Sequence, residues 1–484
     1  MKITELEPKT VWKNFDSLNQ IPRPSKHEEK AVAFLLKWGE EHGLETLRDE
    51  VGNVIFRKPA TPGMENRMGI ILQAHIDMVP QKNNDTVHDF LTDPIKTRII
   101  GDWVHATGTT LGADDGMGVA VAMSVLESKD LQHGPIEALI TFDEETGMTG
   151  ARALKGGMLN GDILINLDSE TEGELYVGCA GGLDSDISLP YKEEAAPAGM
   201  KSFRLTLKGM RGGHSGMEII LFRANAVKQL VRIVLPLIER FGARVAAIGG
   251  GNMRNAIPRE SGADLLIPEA NAAAAQEFVA NMGAEIKAEY SVADPDFVCT
   301  FEACEDLKTV FDAQSTLNIV RAVYACPNGI ERMSDAMPGL VETSNNTSIF
   351  SAENGEFNVK TLMRSSVDSA KEELAGKIKA VFELAGAKVE LSGSYPGWKP
   401  NMASPILNEM KSVYKGLYGN EPKVMAIHAG LECGLLGGTY PNWDMVSCGP
   451  TITGPHSPDE RVNIASVQKW WKFVVEVLKN APKK

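Results

Sequence analysis

MGIILQAHIDMVP, residues 68–80, is an apolar, β-rich run that closes on an imidazole and a carboxylate, His75 and Asp77. Two more runs end the same way. IEALITFDEETG (136–147) closes on Glu144 and Glu145, and DILINLDSE (162–170) closes on Asp168. Between the first two lies MGVAVAMSVL (117–126), apolar on every side as a helix buried against a sheet is. Alternation of this kind predicts an α/β layer whose strands are mostly parallel. The carboxyl ends of such strands open on one crevice, and carboxylates gathered there repel one another unless a cation neutralises them.

Outward from this core the pattern changes. SKHE (25–28) fits a capping box that starts a helix running to Gly43, and VGNVIFR (51–57) reads as another strand. YKEEAAPAGM (191–200) is a polar connector, after which KSFRLTLK (201–208) alternates as a half-buried strand does. A helical spacing over 223–241, interrupted by Pro236, strands within 245–267 and 355–365, and a helix over 369–386 predict a separate α+β unit with antiparallel strands. A second connector, LSGSYPGWKP (391–400), precedes a return to the first style. There a helix near 404–417, a short strand at 424–428 and a final helix over 465–478 are expected. The ligand-type residues fall before 180 and after 400, so the chain is expected to build a discontinuous domain from 1–195 and 396–484 around an inserted domain, 196–395. Three consecutive domains are the alternative.

The 484-residue chain has an ordinary globular composition, 43% hydrophobic and 23% charged. A net charge of -15 argues against nucleic acid and anionic membrane as partners. Its six cysteines form no CxxC pair and read as reduced thiols of a cytoplasmic protein. No membrane span and no secretory leader are expected.

The chemistry follows from residue type and place. His75 and Asp77, at i and i+2, suit a metal ligand followed by a carboxylate that hydrogen-bonds the far ring nitrogen and fixes the ring. Of the adjacent Glu144 and Glu145, one can bind metal while the other collects a proton from an activated water. Asp168 ends a buried strand and is followed by a turn, which favours a ligand over a helix cap. His456 lies in a Gly/Pro-rich loop, GPTITGPHSPDE (449–460), with no apolar face. In GADDGMG (112–118), Asp114 is placed to bridge two ions and Asp115 to cap the following helix. The set then divides into His75, Asp114 and Asp168 at one ion and Asp114, Glu145 and His456 at the other. Mixed imidazole and carboxylate donors suit zinc, with cobalt or manganese as alternatives.

Together with QAHIDMVPQKNNDTVHDF (73–90), GTTLGADDGMG (108–118), TFDEETGMTGA (141–151), INLDSE (165–170) and the last loop, the strings KGMRGGHSGMEI (208–219), RNAIPRE (254–260) and HAGLECGL (428–435) resemble the M20 metallopeptidases over essentially the whole chain. The resemblance implies a two-zinc catalytic domain with an inserted lid that also forms a homodimer. It implies hydrolysis of dipeptides, of the Xaa-His type with a broad range. Within it, His75, Asp114, Glu145, Asp168 and His456 are metal ligands, Glu144 is the general base and Asp77 orients His75. His214 is implied as an oxyanion donor. Arg364 is a candidate for the substrate carboxylate because its fork of donors matches that group, and Asn346 and Glu432 are further substrate-contact candidates. After GGHSG the chain continues MEIILFRAN, more apolar than the family pattern. Hydrolysis of N-acyl amino acids is the alternative activity, and metal binding without turnover or an acidic scaffold are the alternatives outside enzymology.

Overall fold

The computed structural model describes residues 2–484. The chain divides into two compact units, one formed by 1–178, 400–426 and 431–484, the other by 179–399 and 427–430.

The first unit is built on an eight-stranded sheet. Its strands lie in the order Glu45–Arg48, Val54–Lys58, Ile136–Thr141, Ile70–His75, Ile163–Asn166, Asp444–Ser447, Glu174–Cys179 and Lys423–Ile427. The middle four are parallel, with His75 opposite Thr141, Gln73 opposite Asn166, and Asp444 opposite Ile163. Antiparallel strands flank them. The strands 70–75, 136–141 and 163–166 are buried along their whole length, as parallel strands covered on both faces are. Helix Ala113–Glu127 is buried on every side from Gly116 to Leu126. A small four-stranded sheet ties Ile452–Thr453 and Arg461–Asn463 to the hairpin Trp103–Ala106 and Thr97–Ile100. It holds both ends of the loop that carries His456.

The second unit is a nine-stranded antiparallel sheet that runs Val298–Ala303, Met200–Lys208, Ser261–Pro268, Arg244–Gly250, Val341–Glu353, Glu356–Ser365, Gly181–Pro190 and Lys388–Tyr395, with Gly329–Met333 paired to Val341–Glu353. Apolar side chains of these strands and of helices Ala226–Phe241, Ala272–Glu289, Ala313–Ala325 and Asp368–Leu384 share one core.

Several local expectations are corrected. SKHE forms no capping box: Lys26 adopts φ 69°, Ser25 Oγ turns to the Met78 carbonyl, and the helix runs Glu29–Glu41. The left-handed residue makes a turn where helix was expected. Pro236 does not interrupt its helix, which runs from an Asn225 cap to Gly242 at φ 68°. The connectors at 191–200 and 391–400 both contain strand, Glu193–Ala195 and the end of Lys388–Tyr395. Strand Gly181–Pro190 alternates buried and half-buried residues within the second sheet, so the compact units part at 178 rather than 195. Among the described residues no helix is long and apolar enough to cross a membrane.

Candidate metal centre

Three parallel strand ends and two loops deliver the first unit's acidic and imidazole groups to one place. His75 is the last residue of its strand and is buried. Its Nε2 lies 3.1 Å from Asp114 Oδ1 and 3.5 Å from Asp168 Oδ1. From the other side, His456 Nε2 lies 3.1 Å from Asp114 Oδ2 and 3.0 Å from Glu145 Oε2. Asp114 thus divides the cluster, one carboxylate oxygen facing each imidazole.

Supporting contacts explain the placement. Asp77 Oδ1 is 3.3 Å from His75 Nδ1, so the ring is gripped at the nitrogen that faces away from Asp114. The same carboxylate accepts the backbone N–H groups of Glu144 (2.9 Å) and Glu145 (3.2 Å). Glu144 and Glu145 open a one-turn helix after Asp143, which adopts φ 53°. The two side chains diverge, because successive residues on a helix are about 100° apart. Asp115 accepts the Gly118 N–H at 3.0 Å and that of His75 at 3.3 Å, and so acts as the helix cap. His456 is held at φ 59°, a region that non-glycine residues occupy mainly where surrounding structure enforces it.

The electrostatics are those of an acid cluster held together by imidazole protons. Burial alone would lower the His75 pKa, but Asp168, Asp114 and Asp77 hold it well above its ordinary value. Hydrogen bonds to Asp114 and Glu145 push His456 up to about 11. Burial raises Asp168 and Glu144 well above the carboxylate range, with Asp114 adding to both. Burial would also raise Asp114, but its bonds to His456 and His75 outweigh that and keep it low.

These residues fit divalent cations on two grounds. Donors sharing one tetrahedral ion at 2.0–2.2 Å stand about 3.4 Å apart, close to the 3.0–3.5 Å separations between the imidazole and carboxylate donors. Glu145 Oε1 is buried with no hydrogen-bond partner, and a cation takes the place of the imidazole protons when a site of this kind is loaded.

A polar layer lies beneath the cluster. Glu432, fully buried, accepts from Gln73 Nε2 at 2.6 Å and from Thr141 Oγ1 at 2.8 Å. Asn166 Nδ2 donates to Gln73 Oε1 at 2.6 Å, and Ser447 Oγ donates to Asn166 Oδ1 at 2.5 Å. Glu432, expected among the substrate contacts, instead belongs to this layer. Burial raises its pKa to about 7, and its charge helps raise that of Glu144. Sequence reasoning missed Gln73, Asn166 and Ser447 because polar residues inside apolar strands gain a role only once the strand order is known.

The remaining expected residues lie in the second unit. His214 Nδ1 accepts the N–H groups of Gly216 (3.1 Å) and Met217 (3.0 Å), so the ring's proton sits on Nε2. Burial, then the Arg364 charge, lowers its pKa, which favours that neutral donor form. Arg364 is buried, donates to Tyr395 Oη at 3.2 Å, and leaves Nε without a partner. A Cβ on Gly216 would lie 2.1 Å from the His428 carbonyl oxygen and 3.1 Å from Arg364, so only glycine lets the three segments meet. His428, within a quoted motif but assigned no role, donates to or accepts from Ser344 Oγ at 2.7 Å. Asn346, expected to touch substrate, is engaged by the carbonyls of Ala256 (2.8 Å) and Arg254 (3.4 Å) and by Asn225 (3.2 Å).

Residues 71–480 match the model of peptidase family M20/M25/M40. The chain is 45% identical to the cytosol non-specific dipeptidase of Escherichia coli strain K12 over the full length of both. Its fold is similar to the crystal structure of aminoacylhistidine dipeptidase from Vibrio alginolyticus, with TM-score 0.97 and 47% identity, covering 100% of this chain and 99% of the other. Aminopeptidase PepT from Bacillus cereus, at 17% identity and TM-score 0.58 over 98% of this chain and 99% of the other, shares the fold alone. The chain belongs to peptidase family M20/M25/M40 and is a peptide hydrolase.

Proposed function

We propose that the protein is a two-metal dipeptidase that hydrolyses the peptide bond of dipeptides, Xaa-His among them. The observation that carries this reading is the division of Asp114, each carboxylate oxygen 3.1 Å from a different imidazole. The two dipeptidases it resembles at 45% and 47% identity support the substrate class. His75, Asp114 and Asp168 would hold one ion and Asp114, Glu145 and His456 the other, with zinc the best match to the donors. When bound, the ions would polarise the scissile carbonyl and acidify water.

Glu144 is the general base. It is half-buried beside the ligand cluster, its backbone is anchored on Asp77, and its raised pKa suits a carboxylate that takes a proton as water attacks and then returns it to the leaving amine. Asp77 keeps the His75 ring and the Glu144–Glu145 turn in register. His214, with its proton fixed on Nε2, supplies an oxyanion donor, a contribution of about 3–4 kcal/mol for one well-placed group. Arg364, with Nε uncommitted, takes the substrate carboxylate. The first unit thus carries the metal-holding residues and the base, and the region 196–395, which supplies His214 and Arg364, acts as lid and homodimer interface. The acidic, cysteine-poor chain works in the cytoplasm, as the name of the Escherichia coli relative says of that protein.

The test is a panel of dipeptides and N-acyl amino acids assayed before and after chelation. Dipeptide cleavage lost with EDTA and restored by Zn2+ is expected. Cleavage indifferent to EDTA, or confined to N-acyl amino acids, would overturn the reading. Glu144→Gln should keep its metal content and lose about 10²–10⁴-fold in kcat.

A further inference from the structure

Four residues beyond His456 lies a buried carboxylate that the proposed chemistry does not use. Glu460 is 2% exposed. Its Oε2 accepts the backbone N–H groups of Leu111 at 2.7 Å and Gly112 at 3.0 Å, and its Oε1 accepts those of Ala113 at 2.7 Å and Asp114 at 3.2 Å. Four consecutive main-chain donors therefore converge on one side chain. Left unpaired, buried groups of this kind each cost about 1–3 kcal/mol.

Arg23 grips the same turn from the other side. It is 1% exposed, and its Nη2 donates to the Gly112 carbonyl at 2.6 Å. Its Nη1 donates to the carbonyls of Ile76 at 2.9 Å and Asp77 at 3.3 Å. One guanidinium thus joins the Gly112 turn to the strand end that presents His75. Gly112 has φ 67°, and a Cβ there would lie 2.6 Å from Arg23 Nη2. The turn has no room to shift toward Arg23, and its N–H groups are fixed by Glu460.

The last residue of this turn is Asp114. Its main chain is not helical, with φ -81° and ψ 110°, so the direction of its carboxylate depends on how the turn is held. An ordinary helix cap would serve N–H groups of its own helix. Glu460 comes from the far end of the chain, and two of its four donors precede the helix that begins at Ala113. It also shares a five-residue segment with His456, which faces Asp114 Oδ2.

We propose that Glu460 is the positioning residue of the shared carboxylate. By fixing the turn 111–114, with Arg23 as the opposing brace, it lets one Asp114 side chain serve both ions. This rests on the two-metal reading above. A side chain that only filled space would be replaced by glutamine without loss. Glutamine, however, turns one acceptor into a donor facing two N–H groups.

The experiment is titration of chelator-stripped full-length protein with Co2+, followed by absorption and calorimetry, beside dipeptide kinetics at saturating metal. Wild type should take up two equivalents. Glu460→Gln should keep its far-UV circular dichroism, bind both ions about 10–100-fold more weakly, alter the Co2+ spectrum and lower kcat more than it changes KM. Glu460→Asp, which keeps both acceptor oxygens, should recover part of that loss, and Asp459→Asn, an exposed neighbour, should behave as wild type. If Glu460→Gln does not fold, Arg23→Lys is held to the same affinity and spectral criteria. Two equivalents bound at wild-type affinity with an unchanged spectrum overturn the proposal alone, as does an equal loss in Asp459→Asn. A wild type that binds fewer than two ions overturns the two-metal reading, and the proposal with it.

Discussion

His75 and His456 approach the two oxygens of one carboxylate at the same distance, 3.1 Å, under opposite conditions. The His75 side chain is 1% exposed, ends a strand of the central sheet and is gripped at its far nitrogen by Asp77. The His456 side chain is 51% exposed and sits in a loop, with its backbone in the left-handed region. One half of the centre is part of the core, and the other is brought to it by a segment fixed at its ends. The difference teaches that equal contact geometry does not mean equal dependence on the fold: removing the buried imidazole strands carboxylates in the core, while removing the half-exposed one lets in water that already reaches the ring, although its partners Asp114 and Glu145 are themselves only 10% and 6% exposed.

The largest expected effect follows. In the chelated protein, His75→Ala should cost about 3–5 kcal/mol, because it leaves the charges of Asp77, Asp168 and Asp114 buried without their partner. His456→Ala should cost less, about 1 kcal/mol, because water already reaches the 51% exposed ring and takes its place beside Asp114 and Glu145. Urea denaturation of EDTA-treated variants checks both, and equal destabilisation would break the comparison. Both variants should lose dipeptide cleavage.

Asp77→Asn sharpens it. The substitution keeps the size of the side chain but removes the charge beside His75 Nδ1 and one of the oxygens that accept the Glu144 and Glu145 N–H groups. Metal affinity or kcat should fall about 10–100-fold, and the loss in affinity should fall on the His75 side. Metal titration of Asp77→Asn in a His456→Ala background isolates that side. A single remaining ion bound as tightly as in His456→Ala alone would show that Asp77 does not brace the ring.

The same contrast marks what could be read from the sequence. The cluster of His75, Asp114, Glu145, Asp168 and His456 was legible because each member stands at the end of an apolar run or in a glycine loop, and a strand's end fixes where its last side chain goes. Asp77 was legible because the i, i+2 spacing on a strand limits which group can face His75. Glu460 and Arg23 were not, since their partners are main-chain atoms that bear no sequence mark, and 348 positions separate Glu460 from Gly112. Nor was the layer under the centre: Gln73 meets Asn166 only because strands 70–75 and 163–166 are neighbours in that register. In the second unit, the alternating strands predicted an antiparallel sheet, but Asn346 and Arg364 look alike as polar residues in strands, and only packing shows that the first is engaged by backbone carbonyls while the second keeps a donor open.

A third histidine supplies the opposite electrostatics. His428 is buried like His75, but its surroundings are cationic: burial first, then the charges of Arg364 and His214, push its pKa down to about 3. Its unfolded value is about 6.5, so below that pH the unfolded chain binds a proton that the folded chain refuses. The contribution to stability is complete above about pH 6.5 and is lost as pH falls toward 3, with a limiting slope of about 1.4 kcal/mol per pH unit for one proton. His428→Asn removes this term. Its stability relative to wild type should therefore rise between pH 6.5 and 4, measured as the difference in urea midpoints so that carboxylates common to both proteins cancel. Parallel curves would mean that His428 takes up its proton in the folded protein. In that case Ser344, at 2.7 Å, would accept from a charged ring rather than pair with a neutral one, and burial beside Arg364 would not be what separates this histidine from the two that face Asp114.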